Sequence, residues 1–279
     1  MRITLALMVL LPTAAFAWGD NDCKFRADRA GATEASGVDK VVIRAGAGDL
    51  KVAGRSNATR IEARGPACAA KQELLDASQI SVRREGKIVY VESTLPQDKD
   101  KGGWSWGNDD YAYIDLDITL PAGLPVETLD SSGDAEFADL KSLELQDSSG
   151  DLKISRISGE LDVSDSSGDL EVVDAGSVRV RDSSGDVEVD RIRGNVTVLV
   201  DSSGDMRIAH VEGNVKIEQD SSGGIHIDNV KGSVNVDSDS SGDIYAGNVG
   251  GDFTVSEDGS GSISHGTITG RISVPSNKE

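Results

Sequence analysis

The sequence predicts an all-β protein: a single-stranded parallel β-helix, or β-solenoid, wound right-handed, with an irregular β-rich cap on its N-terminal side. Three observations predict it. The pentapeptide Asp-Ser-Ser-Gly-Asp occurs six times, starting at Asp130, Asp147, Asp165, Asp182, Asp201 and Asp239. A variant ending in Gly224 starts at Asp220, and at Asp258 the motif decays to Asp-Gly-Ser-Gly-Ser. Successive starts lie 17, 18, 17, 19, 19, 19 and 19 residues apart, and a fixed period of this size marks one structural unit stacked on itself. Between motifs, apolar and polar residues alternate, as in Val187, Glu188, Val189 and again in Val196, Thr197, Val198. That is the pattern of short strands with one face inward. Finally, aromatic residues make up only 4% of the chain, so stacked valines, leucines and isoleucines must supply the core.

From the N-terminus, residues 1–17 read as a signal peptide: Arg2 supplies the charge, residues 3–11 the short apolar run, and Ala15, Phe16 and Ala17 an A-x-A cleavage site. The run is too short to span a bilayer, and no later run reaches the ~18 apolar residues that a membrane helix needs. The mature chain is therefore expected to be exported, periplasmic or secreted, without an integral membrane segment. Two cysteines follow, Cys23 and Cys68. In an oxidising compartment an isolated pair is expected to form a disulfide, stabilising the fold by roughly 3–4 kcal/mol in the chain-entropy model. The three histidines lie far along the chain, which gives zinc little support.

Residues 18–128 form an irregular β-rich region, with strand-like pieces at 40–43, 50–52, 80–82, 88–91 and 113–118 and a short helical turn at 69–76. The stretch from Gly46 to Val52 reads as a worn copy of the repeat. Residues 129–274 are expected to form about eight coils of 17–19 residues, and 275–279 a tail that starts at Pro275. A unit holding two or three short strands cannot bury its apolar face alone, but stacked on its neighbours it forms a continuous core. At ~4.8 Å per coil the stack would be a rod roughly 40 Å long. Parallel crossovers are overwhelmingly right-handed, which sets the expected winding. An antiparallel barrel or meander is the rival, but hairpins do not naturally repeat the same five residues once per 17–19. The N-terminal region is expected to shield the edge of the first coil.

Three features together carry a family resemblance: the Gly-Asp-Leu-Lys-Val element at Gly48, the Ile-Thr-Leu-Pro-Ala-Gly strand end at Ile118, and the string of Ser-Gly-Asp coils. On these, nearly all of the mature chain resembles the bacterial putative-adhesin family, a domain of unknown function with a β-solenoid fold related to autotransporter-adhesin head domains. The resemblance implies adhesion and brings no catalytic residues with it. A C-terminal membrane barrel, which a true autotransporter needs, is not found in this sequence.

The chain carries 28 basic and 48 acidic residues, a net charge of −20. That excludes a nucleic-acid footprint, which must be basic, and adsorption to anionic lipid. If each motif occupies the same corner, the aspartates Asp130, Asp147, Asp165, Asp182, Asp201, Asp220 and Asp239 form a ladder. Two carboxylates ~4.8 Å apart repel by roughly 1 kcal/mol in water and about 3–4 kcal/mol at an effective dielectric of 20. A structural reading answers this with Asx-turns, in which each carboxylate accepts N–H groups of the following Ser and Gly, and with hydrogen-bonded Ser ladders. A functional reading answers it with a weak cation ladder holding Ca²⁺ between coils. A second ladder would run beside the first from Asp134, Asp151, Asp169, Asp186, Asp205 and Asp243. No cofactor is expected apart from that possible calcium. Which motif residue points inward is left open: an extra residue before Asp201 changes the parity, which a bulge would absorb.

Catalysis is not expected. A polysaccharide-cleaving β-helix is the least favoured reading, because every carboxylate pair recurs in each coil and no coil has its own acid, base and substrate clamp. His226 replaces a solvent-facing strand residue. One aromatic cluster, Trp104, Trp106, Tyr111 and Tyr113, is a possible partner-contact loop for a protein or glycan, against the alternative that it folds back over the first coil. The function classes that remain are an adhesin-like binding or structural module and, as rival, an acidic-ladder protein for Ca²⁺ or cationic peptides.

Overall fold

The computed structural model describes residues 23–96 and 110–275. It is nearly all β, with 61% strand and 2% helix, arranged as a solenoid of about eight turns. Its first part holds β1 (Phe25–Glu34), β2 (Lys40–Arg44), β3 (Leu50–Arg55), β4 (Arg60–Ala69), α1 (Gln72–Ala77), β5 (Gln79–Glu85), β6 (Ile88–Thr94), β7 (Ala112–Ile114), β8 (Leu116–Pro121) and β9 (Pro125–Leu129). The coils continue with β10 (Ala135–Ala138), β11 (Ser142–Gln146), β12 (Leu152–Ser164), β13 (Leu170–Arg181), β14 (Val187–Ile192), β15 (Val196–Val200), β16 (Met206–Val211) and β17 (Val215–Ile217). They end with β18 (Ile225–Val230), β19 (Val234–Asp239), β20 (Ile244–Val249), β21 (Phe253–Asp258), β22 (Ile263–His265) and β23 (Ile272–Ser273).

Each coil has two sides, so the strands stack into two parallel faces. One face runs β8, β3, β10, β12, β13, β14, β16, β18, β20, β22. The other runs β6, β2, β9, β11, β12, β13, β15, β17, β19, β21, β23. The long strands β12 and β13 turn the bend and serve both. Alternation along each strand puts identical apolar positions above one another: Val187, Met206, Ile225 and Ile244 stack in one row, Val196, Val215, Val234 and Phe253 in another. All eight are at most 2% exposed and belong to one continuous core.

The N-terminal part is not a simple lid on the first repeat. The worn copy is a true coil: Ala47 bridges Ser132, and Gly48 lies against Gly133 as later motif glycines lie against one another. Yet β2 and β3 do not end the stack. The chain passes outward from them, closes the end with β4 antiparallel to β8 and β5 antiparallel to β6, and lays β6 and β8 outside β2 and β3. It then returns to place β9 and β10 on their inner side. Antiparallel strands here cover an edge that a parallel stack leaves open. The disulfide between Cys23 and Cys68 ties β1 and its neighbour β4 together at this end.

Candidate functional site

The repeated motif makes one corner of the solenoid, between the second face and the first. Its opening aspartate points inward in every copy. Asp130, Asp147, Asp165, Asp182, Asp201, Asp220 and Asp239 are 0–5% exposed. The parity problem before Asp201 is solved by a bulge: the pairing slips between Val180 and Arg181 where they face Val198 and Val200. Val200 is pushed out to 36% exposure and Asp201 stays at 0%.

These carboxyls are held by little. Asp165 Oδ1 accepts from the N–H groups of Ser166 at 2.6 Å and Ser167 at 3.3 Å, and Asp130 Oδ1 from Ser131 at 2.8 Å. At Asp147, Asp182, Asp201 and Asp220 neither carboxyl oxygen has a protein partner at good hydrogen-bond geometry. The motif glycine donates elsewhere, Gly168 N–H to Ser184 O of the next coil at 3.1 Å. The expected Asx-turn is thus real only in its serine half. Burial, reinforced by the neighbouring aspartates, pushes Asp130, Asp182 and Asp220 up to about 7 and Asp147 and Asp201 up to about 6. Asp165 and Asp239 rise for the same first reason, burial. At Asp220 burial is joined by the carboxyls of Asp201 and Asp239 in the coils on either side, which disfavour its charged form further. Among the described residues no group of three or more His, Cys, Asp or Glu side chains is placed to hold a metal ion.

The rest of the motif is spent on joining coils. The second serine donates its hydroxyl to the first serine's carbonyl in the coil before, as Ser184 does to Ser166 at 3.2 Å and Ser222 to Ser202 at 3.2 Å. The glycine has φ between +113° and +148° in all copies from Gly133 to Gly261. A Cβ on Gly204 would lie 1.8 Å from Gly185 O, so both conformation and space demand glycine. The closing aspartate forms the outer ladder. Each carboxylate accepts the backbone N–H of its counterpart one coil on: Asp134 from Asp151 at 3.1 Å, Asp151 from Asp169 at 3.1 Å, Asp169 from Asp186 at 3.0 Å, Asp186 from Asp205 at 2.8 Å and Asp205 from Gly224 at 2.9 Å. Asp243 accepts from Ser262 at 2.9 Å.

A matching ladder at the opposite corner was not anticipated. Asn195 Oδ1 accepts from Asn214 N–H at 2.8 Å, Asn214 from Ser233 at 2.8 Å, Ser233 Oγ from Asp252 at 3.0 Å and Asp252 from Arg271 at 2.7 Å. The signal was a short polar residue after a glycine and before each second-face strand.

A family model for Toastrack DUF4097 matches residues 32–274. The chain belongs to the Toastrack DUF4097 family. The solved structures it matches include a putative cell adhesion protein from Clostridium sporogenes, 18% identical over 90% of this chain and 100% of that one, TM-score 0.33. A putative adhesin from Bacteroides fragilis is 15% identical over 90% of this chain and 98% of that one, TM-score 0.35. A putative lipid binding protein from Parabacteroides distasonis is 13% identical over 89% and 97%, TM-score 0.38. No curated protein matches the chain.

In this Toastrack DUF4097 chain the described part of the aromatic cluster is Tyr111 and Tyr113. Trp104 and Trp106 lie outside the described residues. Tyr111 and Tyr113 stack with ring centroids 6.3 Å apart beside β4, where Tyr113 faces Cys68. His226 is half-buried and stacks on Tyr245 of the next coil at 4.7 Å. One groove of about 610 Å³ lies under the β1–β4 ribbon. The outer ladder enters it as Asp49, Asp115, Asp134 and Asp151, with Asp28 above. Lys51 in its floor is paired with Glu136 at 2.6 Å, and Arg64 with Asp117 at 3.3 Å.

Proposed function

We propose that the chain is an exported, non-catalytic module of the bacterial cell envelope, an adhesin-like β-solenoid that presents a surface to a protein or glycan partner. One observation carries this reading. The residues that resemble chemistry in the sequence are consumed by the fold: the inner aspartates are buried and the outer ones are tied to backbone N–H groups. What varies from coil to coil is the exterior, and a surface with no repeated reactive set suits recognition. The Cys23–Cys68 disulfide supports an oxidising compartment, and the leader-like residues 1–17 support export. Among the described residues no helix is long and apolar enough to cross a membrane. The test is fractionation of native cells followed by binding of the purified chain to isolated envelope and matrix components. Recovery in the cytoplasm with free thiols would overturn the reading.

The groove under the β1–β4 ribbon favours a second reading, capture of a cationic peptide. Asp28, Asp49, Asp115, Asp134 and Asp151 line it beside Arg29 and Lys153, while ion pairs to Glu136 and Asp117 occupy Lys51 and Arg64. Calorimetry with a lysine-rich peptide separates the two: salt-sensitive binding lost on Asp151→Asn supports the groove, and absence of heat removes it.

A further inference from the structure

One copy of the motif departs from the rest at the point where the outer ladder should continue. In the seventh copy Gly224 stands in the place of the closing aspartate. Nothing in the fold requires glycine there. Its φ is not positive, and a Cβ would meet Asp205 Oδ1 at 3.4 Å and Asp243 O at 3.9 Å, both ordinary contacts. Gly224 still donates its own N–H to Asp205 at 2.9 Å, so the coil keeps its register. What is lost is the acceptor. In the other rungs from Asp134 to Asp243 the carboxylate takes the N–H one coil on. Glycine offers no side-chain acceptor, and the N–H of Asp243 has none among the described residues. The ladder therefore carries a notch, with the carboxylates of Asp205 and Asp243 on either side, two coils or about 9.6 Å apart.

The exterior beside the notch is also unlike the coils before it. Alternation puts Gly224, His226 and Asp228 on the same outward side of β18 and its entry. The outward row that contains His226 is charged in the preceding coils, as Lys153, Glu171, Glu188 and Arg207. At β18 and β20 it becomes a stacked pair of rings, His226 and Tyr245, with centroids 4.7 Å apart and planes 21° from parallel. Tyr245 lies over two glycines: a Cβ on Gly247 would be 2.7 Å from its hydroxyl and one on Gly266 3.0 Å. Beyond the rings Asp228 is held by amides. Its Oδ1 accepts from Asn248 Nδ2 and its Oδ2 from Asn229 Nδ2, both at 2.9 Å. This is the side of the solenoid, not its end. A further coil would stack on β22 along the axis, and β23, the last described strand, runs on the other face.

These groups define what fits. The notch presents one donor, the Asp243 N–H, between two acceptors, the Asp205 and Asp243 carboxylates. A ligand carboxylate or phosphate would accept from the N–H but meet two like charges. A cation would pair with the carboxylates and leave the N–H unanswered. A hydroxyl both accepts and donates, so a neutral polyhydroxylic ligand answers all three. The ring pair calls for an apolar surface next to those hydroxyls. A pyranose carries both, with hydroxyls on its rim and C–H groups on its face.

We propose that the Gly224 notch and the His226–Tyr245 pair form a binding site for a neutral glycan, in which one sugar hydroxyl takes the place of the missing rung. The proposal rests on the reading that the variable exterior is the recognition surface, and it narrows the partner to a neutral sugar. An array of neutral and of uronate- or sulfate-bearing oligosaccharides, probed with the purified full chain, selects the ligand. Calorimetry with the neutral oligosaccharide retained best then tests the site. The expected result is retention of neutral glycans over anionic ones. Gly224→Asp restores the rung that the other copies carry, so it should fold with an unlowered melting temperature and yet weaken binding about tenfold or more, the effect of one lost hydrogen bond to a charged network. Tyr245→Ala should weaken binding likewise, whereas Glu171→Ala, in the same outward row three coils earlier, should not. No neutral glycan retained, anionic glycans held as well as neutral ones, or affinity that survives Gly224→Asp overturns the proposal. Envelope recovery of a chain that binds no sugar overturns this site alone, whereas recovery in the cytoplasm with free thiols overturns the envelope-module reading even if sugars bind.

Discussion

At the scale of the residue, the motif aspartate decides how the corner is read. A buried carboxyl without partners prefers its neutral form. Asp182 is 2% exposed and lifted to about 7 by burial first and by Asp201 and Asp165 next. Its unfolded pKa is near 3.9, so the sign is clear. Below that value both states are protonated and the column's stabilisation is fully present. As pH rises toward 7 the unfolded chain ionises freely while the folded chain resists, and stability falls. Asp182→Asn removes that penalty. At pH 8 it is expected to stabilise the chain by roughly 1–3 kcal/mol, the usual cost of an unsatisfied buried polar group, and at pH 3, below the unfolded value, to change little. Denaturant melts at the two pH values check this. The motif glycine gives a second prediction. Gly204→Ala meets both φ +132° and a carbonyl 1.8 Å from the new Cβ, and should cost more than the ~1–3 kcal/mol of backbone strain alone. Gly123→Ala, with nothing within 4 Å and no positive φ, should be nearly neutral by the same melt.

At the scale of the element, coils are joined by three kinds of ladder: apolar rows inside, serine and aspartate rows at the motif corner, and an Asn/Ser/Asp row at the opposite one. Removing one rung should be mild. Asp186→Ala frees the N–H of Asp205 and is expected to cost about 0.5–1.5 kcal/mol, one net hydrogen bond, read as a lower denaturant midpoint. Reducing the Cys23–Cys68 disulfide should lower stability by roughly 3–4 kcal/mol, measured as the melting difference with and without reductant. The strands and turns of the repeats were legible because the alternation in Val187, Glu188, Val189 and the period of the motif each specify a direction every few residues. The inward aspartates were not, because the extra residue before Asp201 makes parity ambiguous and only the bulge at Val200 settles it. The opposite ladder hid in plain sight: Asn195, Asn214, Ser233 and Asp252 differ in type and share only a short side chain with an acceptor. The order of β6, β2 and β9 was beyond any local pattern, since nothing near Lys40 announces that a later strand will lie outside it.

At the scale of the whole molecule, a quasi-one-dimensional stack draws its stability from contacts between neighbouring coils, and its acidic charge is partitioned. One column of carboxyls is inside, where burial raises their pKa; the outer column lies at the surface and is bonded to backbone N–H groups. The chain as a whole should therefore lose stability as pH rises from about 4, the unfolded aspartate value, to about 7, where the inner column with folded values of about 6 to 7 has ionised, and melting temperature against pH records it. Calcium, which would bind an ionised outward ladder, should leave that profile unchanged. This is the central claim: the motif that dominates the sequence is a structural device of the interior, and recognition belongs to the variable exterior. Carbon-detected NMR titration of the aspartate side-chain carboxyls tests it most directly. The claim predicts a separate set of carboxyls, assigned to the inner column, with Asp130, Asp182 and Asp220 titrating near 7 and Asp147 and Asp201 near 6. Inner-column midpoints at the ordinary aspartate value of about 3.9, or midpoints that move on adding calcium, would contradict it.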